Sequence, residues 1–141
     1  MSRYELRDGA PSVDDFQRLR AAADMAARPR DGVERGLPNS LYVVRAVAVP
    51  DVADADGEVV GMARVVGDGG SVYHVCDTAV HPDHQRSGLG TRMMEAVVDW
   101  LREDAPAGAY VNLMADVDGF YERFGFRETR PASKGMFLRV E

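Results

Sequence analysis

From Val72 to Leu101 the chain reads VYHVCDTAV, then HPDHQRSGLG, then TRMMEAVVDWL. The first piece is rich in β-branched and aromatic residues (Val72, Tyr73, Val75, Thr78, Val80) and stops at His81-Pro82, the signature of a strand running into a loop. In the last piece Leu89, Met93, Val97, Trp100 and Leu101 recur at i, i+4, i+8, i+11 and i+12. That spacing predicts an amphipathic helix, with Thr91, Arg92, Glu95, Asp99 and Arg102 largely on its other side. Two glycines, Gly88 and Gly90, fall where the helix must begin. Glycine lets a ligand approach the backbone, and the amides of a first helical turn lack intrahelical partners. Together with the helix dipole they make a site for phosphate.

The strands on either side extend this unit. Ala109 to Met114 (AYVNLM), beyond Pro106 and Gly108, predicts a second strand, so Val72–Met114 is a β-α-β unit whose strands should lie parallel. Upstream, Leu41 to Val49 and Glu58 to Val66 predict an antiparallel hairpin across a Pro50–Gly57 turn that carries Asp51, Asp54 and Asp56. Asp68-Gly69-Gly70 then turns the chain into the Val72 strand. Tyr4 to Arg7 is a short edge strand. Ser12 and Asp15 form a capping-box pattern for a helix with Phe16, Leu19 and Ala23 on one face. Asp31 and Glu34 are placed to cap a second short helix ending at Gly36, and Asp118 a third, stopped by Gly125. Met136, Phe137, Leu138 and Val140 give the C-terminal segment an apolar character that should close the sheet.

The loop between strand and helix does not fit the nucleotide fingerprints: it has no G-x-G-x-x-G, and no Lys-Ser or Lys-Thr follows the glycines. Gln85-x-x-Gly88-x-Gly90 within DTAVHPDHQRSGLGTRMM (77–94), together with GFYERFGF (119–126), instead resembles the GNAT family of N-acetyltransferases. The resemblance covers most of residues 41–126. It implies an α/β fold with a mixed sheet: antiparallel N-terminal strands and a central, splayed parallel pair flanked by helices. It also implies acetyl-CoA as cosubstrate, its pyrophosphate on the amides of Arg86 to Thr91, assisted by the side chains of Gln85, Arg86 and Thr91. Ser87, Gly88 and Gly90 belong to the same loop. Thr78 and Val80 would offer main-chain hydrogen bonds to the pantetheine arm, as an added strand would.

Acetyl transfer to an amine needs a neutral nucleophile and a proton for the departing thiolate, whereas an amine with a pKa near ~10.4 is mostly protonated at neutral pH. By resemblance Tyr121 is the general acid beside the thioester sulfur; taken alone it reads as one more core aromatic among Phe120, Phe124 and Phe126. His74 and Asp77 compete for the base. Three positions apart, they would face opposite sides of a regular strand, and Asp77 would contact the substrate amine if the strand bulges there. His74 stands where arylalkylamine N-acetyltransferases carry one of two paired histidines, but Cys76 replaces the second, so a two-histidine relay is not implied. Cys76 reads as packing, and His81 and His84 as solvent-facing loop residues. Asp31, Glu34, Asn39 and Ser40 are the polar residues available for acceptor selection near the N-terminal helices.

Composition bounds the rest. With 141 residues, 45% hydrophobic and 28% charged, the sequence predicts a single domain over 1–141. The net charge of −6, without basic clusters, argues against a nucleic-acid surface and against an RNA-directed acetyltransferase. Apolar runs too short for a membrane span, an N-terminus without a signal-peptide core and a single cysteine lead to the expectation of a cytoplasmic protein with no metal site and no membrane contact. The leading reading is direct acetyl transfer to a primary amine, a small molecule being favoured. A peptide or protein amine and a non-catalytic acyl-CoA sensor are the alternatives, and a homodimer is left open.

Overall fold

The computed structural model describes residues 3–50 and 57–141, so the aspartates expected in the turn after Pro50 lie outside the described residues. Its centre is a five-stranded sheet in the order β1-β2-β3-β4-β5: β1 Arg3–Asp8, β2 Tyr42–Val49, β3 Glu58–Gly67, β4 Val72–Val80 and β5 Tyr110–Leu113. The first four pair antiparallel and β5 joins β4 in parallel. This is the mixed sheet that the sequence predicts. The turn into β4 is organised by Asp68, whose carboxylate accepts from the backbone amides of Gly70, Ser71 and Val72.

Helix α3, Leu89–Asp104, is the crossover between β4 and β5. Leu89, Met93, Met94, Val97 and Leu101 are its buried residues. They pack on Val44, Ala46, Val60, Ala63, Val65, Tyr73 and Val75 of the sheet. Met94 joins the stripe read from the sequence. Trp100 lies at its margin, stacked on Tyr42 with ring centroids 5.2 Å apart. Each fully buried side chain of this kind contributes about 1.5–3 kcal/mol. The other face is covered by α1, Val13–Ala22, and α2, Arg30–Gly36, through Phe16, Leu19, Val33 and Leu37 packed with Met62 and Ala79. Ser12 caps α1 by accepting from the amide of Asp15 at 3.1 Å. The N-cap of α2 is Pro29, with no side-chain cap, and Asp31 accepts only from the neighbouring Gly32 amide.

Two departures from the sequence reading matter for function. Asp77 has φ 54, and the β3–β4 register slips there: Met62 pairs with Ala79 but Arg64 with Cys76. This is a β-bulge, which adds a residue and re-aims the side chains beyond it. Before it, Tyr73 and Val75 belong to the α3-side core; after it, Ala79 belongs to the α1-side core. His74 and Asp77 therefore share one face, although regular alternation would separate them. The second departure is at the C-terminus. No strand follows β5 among the described residues, and Met136, Phe137, Leu138 and Val140 are 82–92% exposed instead of closing the sheet.

Candidate active site

β4 and β5 pair only from Val72↔Tyr110 to Val75↔Leu113. Past that point β5 has ended while β4 runs on to Val80, so the parallel ladder divides and the β4 edge from Cys76 onward opens to one side. A cleft of about 660 Å³ occupies the opening. Thr78 and Val80 of β4, Gln85, Arg86, Gly88, Gly90 and Thr91 of the loop and first helical turn, and Phe120 and Tyr121 line it.

The loop backbone is built for an anion. Arg86 (φ 65) and Gly88 (φ 81) both adopt left-handed conformations, an arrangement that turns successive amides toward a common concavity. Gly88 is the N-cap of α3 and supplies no side-chain cap, so the first-turn amides of Leu89, Gly90 and Thr91 have no capping side chain. A Cβ at Gly90 would sit 3.6 Å from the Phe120 ring, ordinary contact distance. A side chain at this position would therefore take up cleft space without strain. Arg86 lines the cleft. Arg123, which the sequence reading did not single out, donates to Thr91 Oγ1 at 3.3 Å and lies 4.8 Å from the Phe120 ring centroid. The Arg86 guanidinium and the uncapped helix amides in the cleft, with Arg123 set against the Thr91 and Phe120 that line it, fit a polyanionic group such as a pyrophosphate.

Other loop side chains hold the loop itself. Gln85 Nε2 donates to the Val80 carbonyl at 3.1 Å, tying the loop to the end of β4. Ser87 Oγ donates to the His84 carbonyl at 2.6 Å, and Ser87 does not line the cleft. His84 is not a solvent-facing residue: its Nδ1 lies 2.8 Å from the Tyr4 hydroxyl of β1, and its ring lines the cleft.

At its inner end the cleft meets a chamber of about 60 Å³ lined by Val75, Cys76, Asp77, Leu113 and Met114. Met25, Thr78, Asp116 and Tyr121 line both spaces, so the two communicate at those residues. Tyr121 opens a short 3-10 turn, Tyr121–Phe124, ended by Gly125 in the left-handed conformation. Phe120 precedes it as N-cap without a side-chain bond, so Asp118 does not cap it. The Tyr121 ring is 8% exposed and held edge-to-face by Phe120 and Phe126. Burial, with the nearby Asp116 carboxylate adding to it, pushes its phenol above the ordinary tyrosine pKa.

Asp77 and His74 are engaged elsewhere. Asp77 is buried in an ion pair with Arg20 of α1, and its second oxygen accepts from Arg64 Nη1 at 3.1 Å. Arg20 also donates to the Ala26 carbonyl, and Arg64 to Ser40 Oγ and the Gly36 carbonyl. Taking a proton would cost Asp77 these charge-assisted contacts. His74 Nδ1 lies 2.6 Å from Asn112 Oδ1 on β5 and lines neither the cleft nor the chamber. Asp31, Glu34 and Asn39 bond locally at α2 and the turn after it. With Ser40 on Arg64, none of these four reaches the cleft. Asp116 and Met25, which do, carry no periodicity or motif that a reading of the sequence could use.

Burial, and secondarily Asp77, pushes the Cys76 thiol up to about 12. It is neutral at physiological pH and a poor nucleophile. Cys76→Ala should keep turnover within about tenfold and cost about 1 kcal/mol of stability. An acetylated Cys76 found by mass spectrometry, with a dead alanine variant, would contradict this. Among the described residues no three His, Cys, Asp or Glu side chains gather as a metal would need, and no helix is long and apolar enough to cross a membrane.

Residues 38–128 match the family described as acetyltransferase (GNAT) domain. The chain is 28% identical over 123 residues to an N-acetyltransferase, ycf52, of Pyropia yezoensis, covering 87% of this chain and 69% of that one. It superposes on the Staphylococcus aureus protein SA2161 with a TM-score of 0.86 and 33% identity, over 98% of this chain and 100% of that one. A Brucella melitensis GNAT acetyltransferase solved with acetyl-CoA shares the fold at a TM-score of 0.62 and 23% identity, over 89% of this chain and 84% of its own.

Proposed function

Because the chain belongs to the GNAT family of N-acetyltransferases, we propose that it moves an acetyl group from acetyl-CoA directly onto the primary amine of a small cationic molecule. The observation that carries this reading is the junction at Met25, Thr78, Asp116 and Tyr121, where a long cleft with a cationic, amide-lined end meets a small chamber. The cleft suits the cosubstrate: phosphates on the Arg86–Thr91 backbone beside Arg86 and Arg123, and the pantetheine amides along the open edge of β4 at Thr78 and Val80, as a strand would lie. The thioester would then reach Tyr121.

In the transfer the amine nitrogen forms a bond to the thioester carbonyl carbon, the carbon–sulfur bond breaks, the thiolate takes the proton of the Tyr121 hydroxyl, and the proton the nitrogen sheds on becoming an amide restores that hydroxyl through water. A thiol has an ordinary pKa near ~8.5, and the raised phenol remains protonated at neutral pH to serve as donor. Asp116, at the exposed rim of the chamber, draws the ammonium in and receives its proton on the way to solvent. It takes the place for which His74 and Asp77 compete in the sequence. The chamber, about 60 Å³, has room for an amine head group.

The test is a screen of small amines, amino acids and peptides for acetyl-CoA-dependent thiol release. Small cationic amines should be the best acceptors, and Asp116→Asn should raise their KM tenfold or more while leaving acetyl-CoA affinity unchanged. Preference for peptides would move the acceptor to a protein amine, and tight binding without turnover on any acceptor would overturn catalysis by this site.

A further inference from the structure

Arg28 lies in the turn between α1 and α2, and α1 holds that turn in place. Arg20 donates to the Ala26 carbonyl, and Gln17 Nε2 to the Arg28 carbonyl at 2.8 Å. Met25, three residues earlier, lines both the cleft and the chamber. On this fixed backbone the Arg28 side chain is half-buried, and its Nη1 is withdrawn from solvent with no hydrogen-bond partner among the described residues. An arginine in a surface turn is ordinarily able to leave its guanidinium in water. Burying an N–H without an acceptor instead carries the full desolvation cost of that group. Such a guanidinium calls for an acceptor that this part of the chain does not supply.

Its surroundings say which kind. The charge of Arg28 opposes that of Arg20 and favours the anionic form of Cys76. The guanidinium is therefore close to the face of β4 where Cys76 and Asp77 form part of the chamber wall. Three guanidiniums, those of Arg20, Arg28 and Arg64, gather there around one carboxylate, Asp77, which Arg20 and Arg64 already share. The cluster has cations in excess at the inner end of the site, and a carboxylate matches the donor fork of an arginine. We propose that Arg28 binds a carboxylate on the acceptor, which is thereby of the amino-acid class: its amine at Tyr121 and Asp116, its carboxylate on Arg28. This rests on the acetyl-transfer reading above and narrows it, the reacting ammonium being the cation that Asp116 draws in. A basic amino acid meets both requirements and remains cationic overall.

The test compares acceptors that differ only in that group: lysine and ornithine, each against its carboxamide. Binding is measured by calorimetry on the protein saturated with CoA, and kcat/KM with acetyl-CoA. The wild type should prefer acid to amide by about ten- to a hundredfold in both measurements. Arg28→Gln should bring that preference close to one, Arg28→Lys should keep part of it, and neither should change acetyl-CoA affinity. The melting temperature of Arg28→Gln should be unchanged or higher, because Nη1 has no partner to lose and the repulsion of Arg20 is relieved. An arginine that serves the fold alone would lower the melting temperature and weaken acid and amide alike. A wild type that does not distinguish acid from amide, a preference that survives Arg28→Gln, or an Arg28→Gln that fails to fold would each overturn the proposal. Turnover without discrimination removes this inference alone, whereas discrimination in binding without turnover removes acetyl transfer and leaves the carboxylate site.

Discussion

Replacing Tyr121 by phenylalanine should lower kcat by about 10²–10⁴-fold on the best acceptor while acetyl-CoA affinity and melting temperature stay near the wild-type values. The ring keeps its edge-to-face contacts with Phe120 and Phe126, so only the proton donor is lost. The pH profile adds a check with a definite sign. Burial and Asp116 raise the phenol above its ordinary value, so its neutral, donating form persists upward from low pH. Any rate loss from its ionisation should therefore come at higher pH than for an ordinary tyrosine. A descending limb near neutrality would have to come from another group. Full activity in Tyr121→Phe would reduce this residue to a core aromatic and remove the acid from the mechanism.

Gly90→Val should weaken acetyl-CoA binding by about a hundredfold or more, measured by calorimetry, in a protein that still folds. In the free protein a Cβ here meets only the Phe120 ring at ordinary contact distance, and valine has a higher helix propensity than the glycine it replaces. What valine removes is the close approach of a phosphate to the first-turn amides. Gly88 is the less informative position, because its φ of 81 would strain any side chain and mix folding with binding. Unchanged affinity in Gly90→Val would place the cosubstrate elsewhere.

Much of this architecture was legible before any coordinates, and the reasons divide by physical type. Apolar β-branched runs and a period-3.6 stripe located β2, β3, β4, β5 and α3 closely, because all five contribute to the core between the sheet and α3. The glycine loop was legible because the left-handed turn into α3, with Gly88 at φ 81, restricts residue type directly. The bulge at Asp77 was not, since a single left-handed aspartate leaves no trace in hydrophobic alternation. Regular alternation puts His74 and Asp77 on opposite faces, and a bulge there can be named as a condition but not located from the pattern. Nor did charge alone tell which carboxylate was free: Asp77 is neutralised by Arg20 and Arg64, 57 and 13 residues away, whereas Asp116 is exposed at the chamber. The C-terminal segment reads as apolar, but apolarity alone does not place it on the sheet: Met136, Phe137, Leu138 and Val140 are exposed and no strand follows β5 among the described residues.

The division of the β4–β5 ladder also bears on hydrogen exchange. Up to Val75 the two strands are zipped, and their amides should exchange only through larger openings of the sheet. Beyond it, the amides of β4 that point away from β3 have no strand to protect them and should exchange quickly in the free protein. An extended, amide-bearing ligand laid into the fork would lengthen the ladder by a few rungs, and those same amides would slow. The boundary between slow and fast exchange, at Val75 in the free protein, should thus move toward Val80 on saturation with acetyl-CoA. That displacement would report how far along the strand the cosubstrate is gripped.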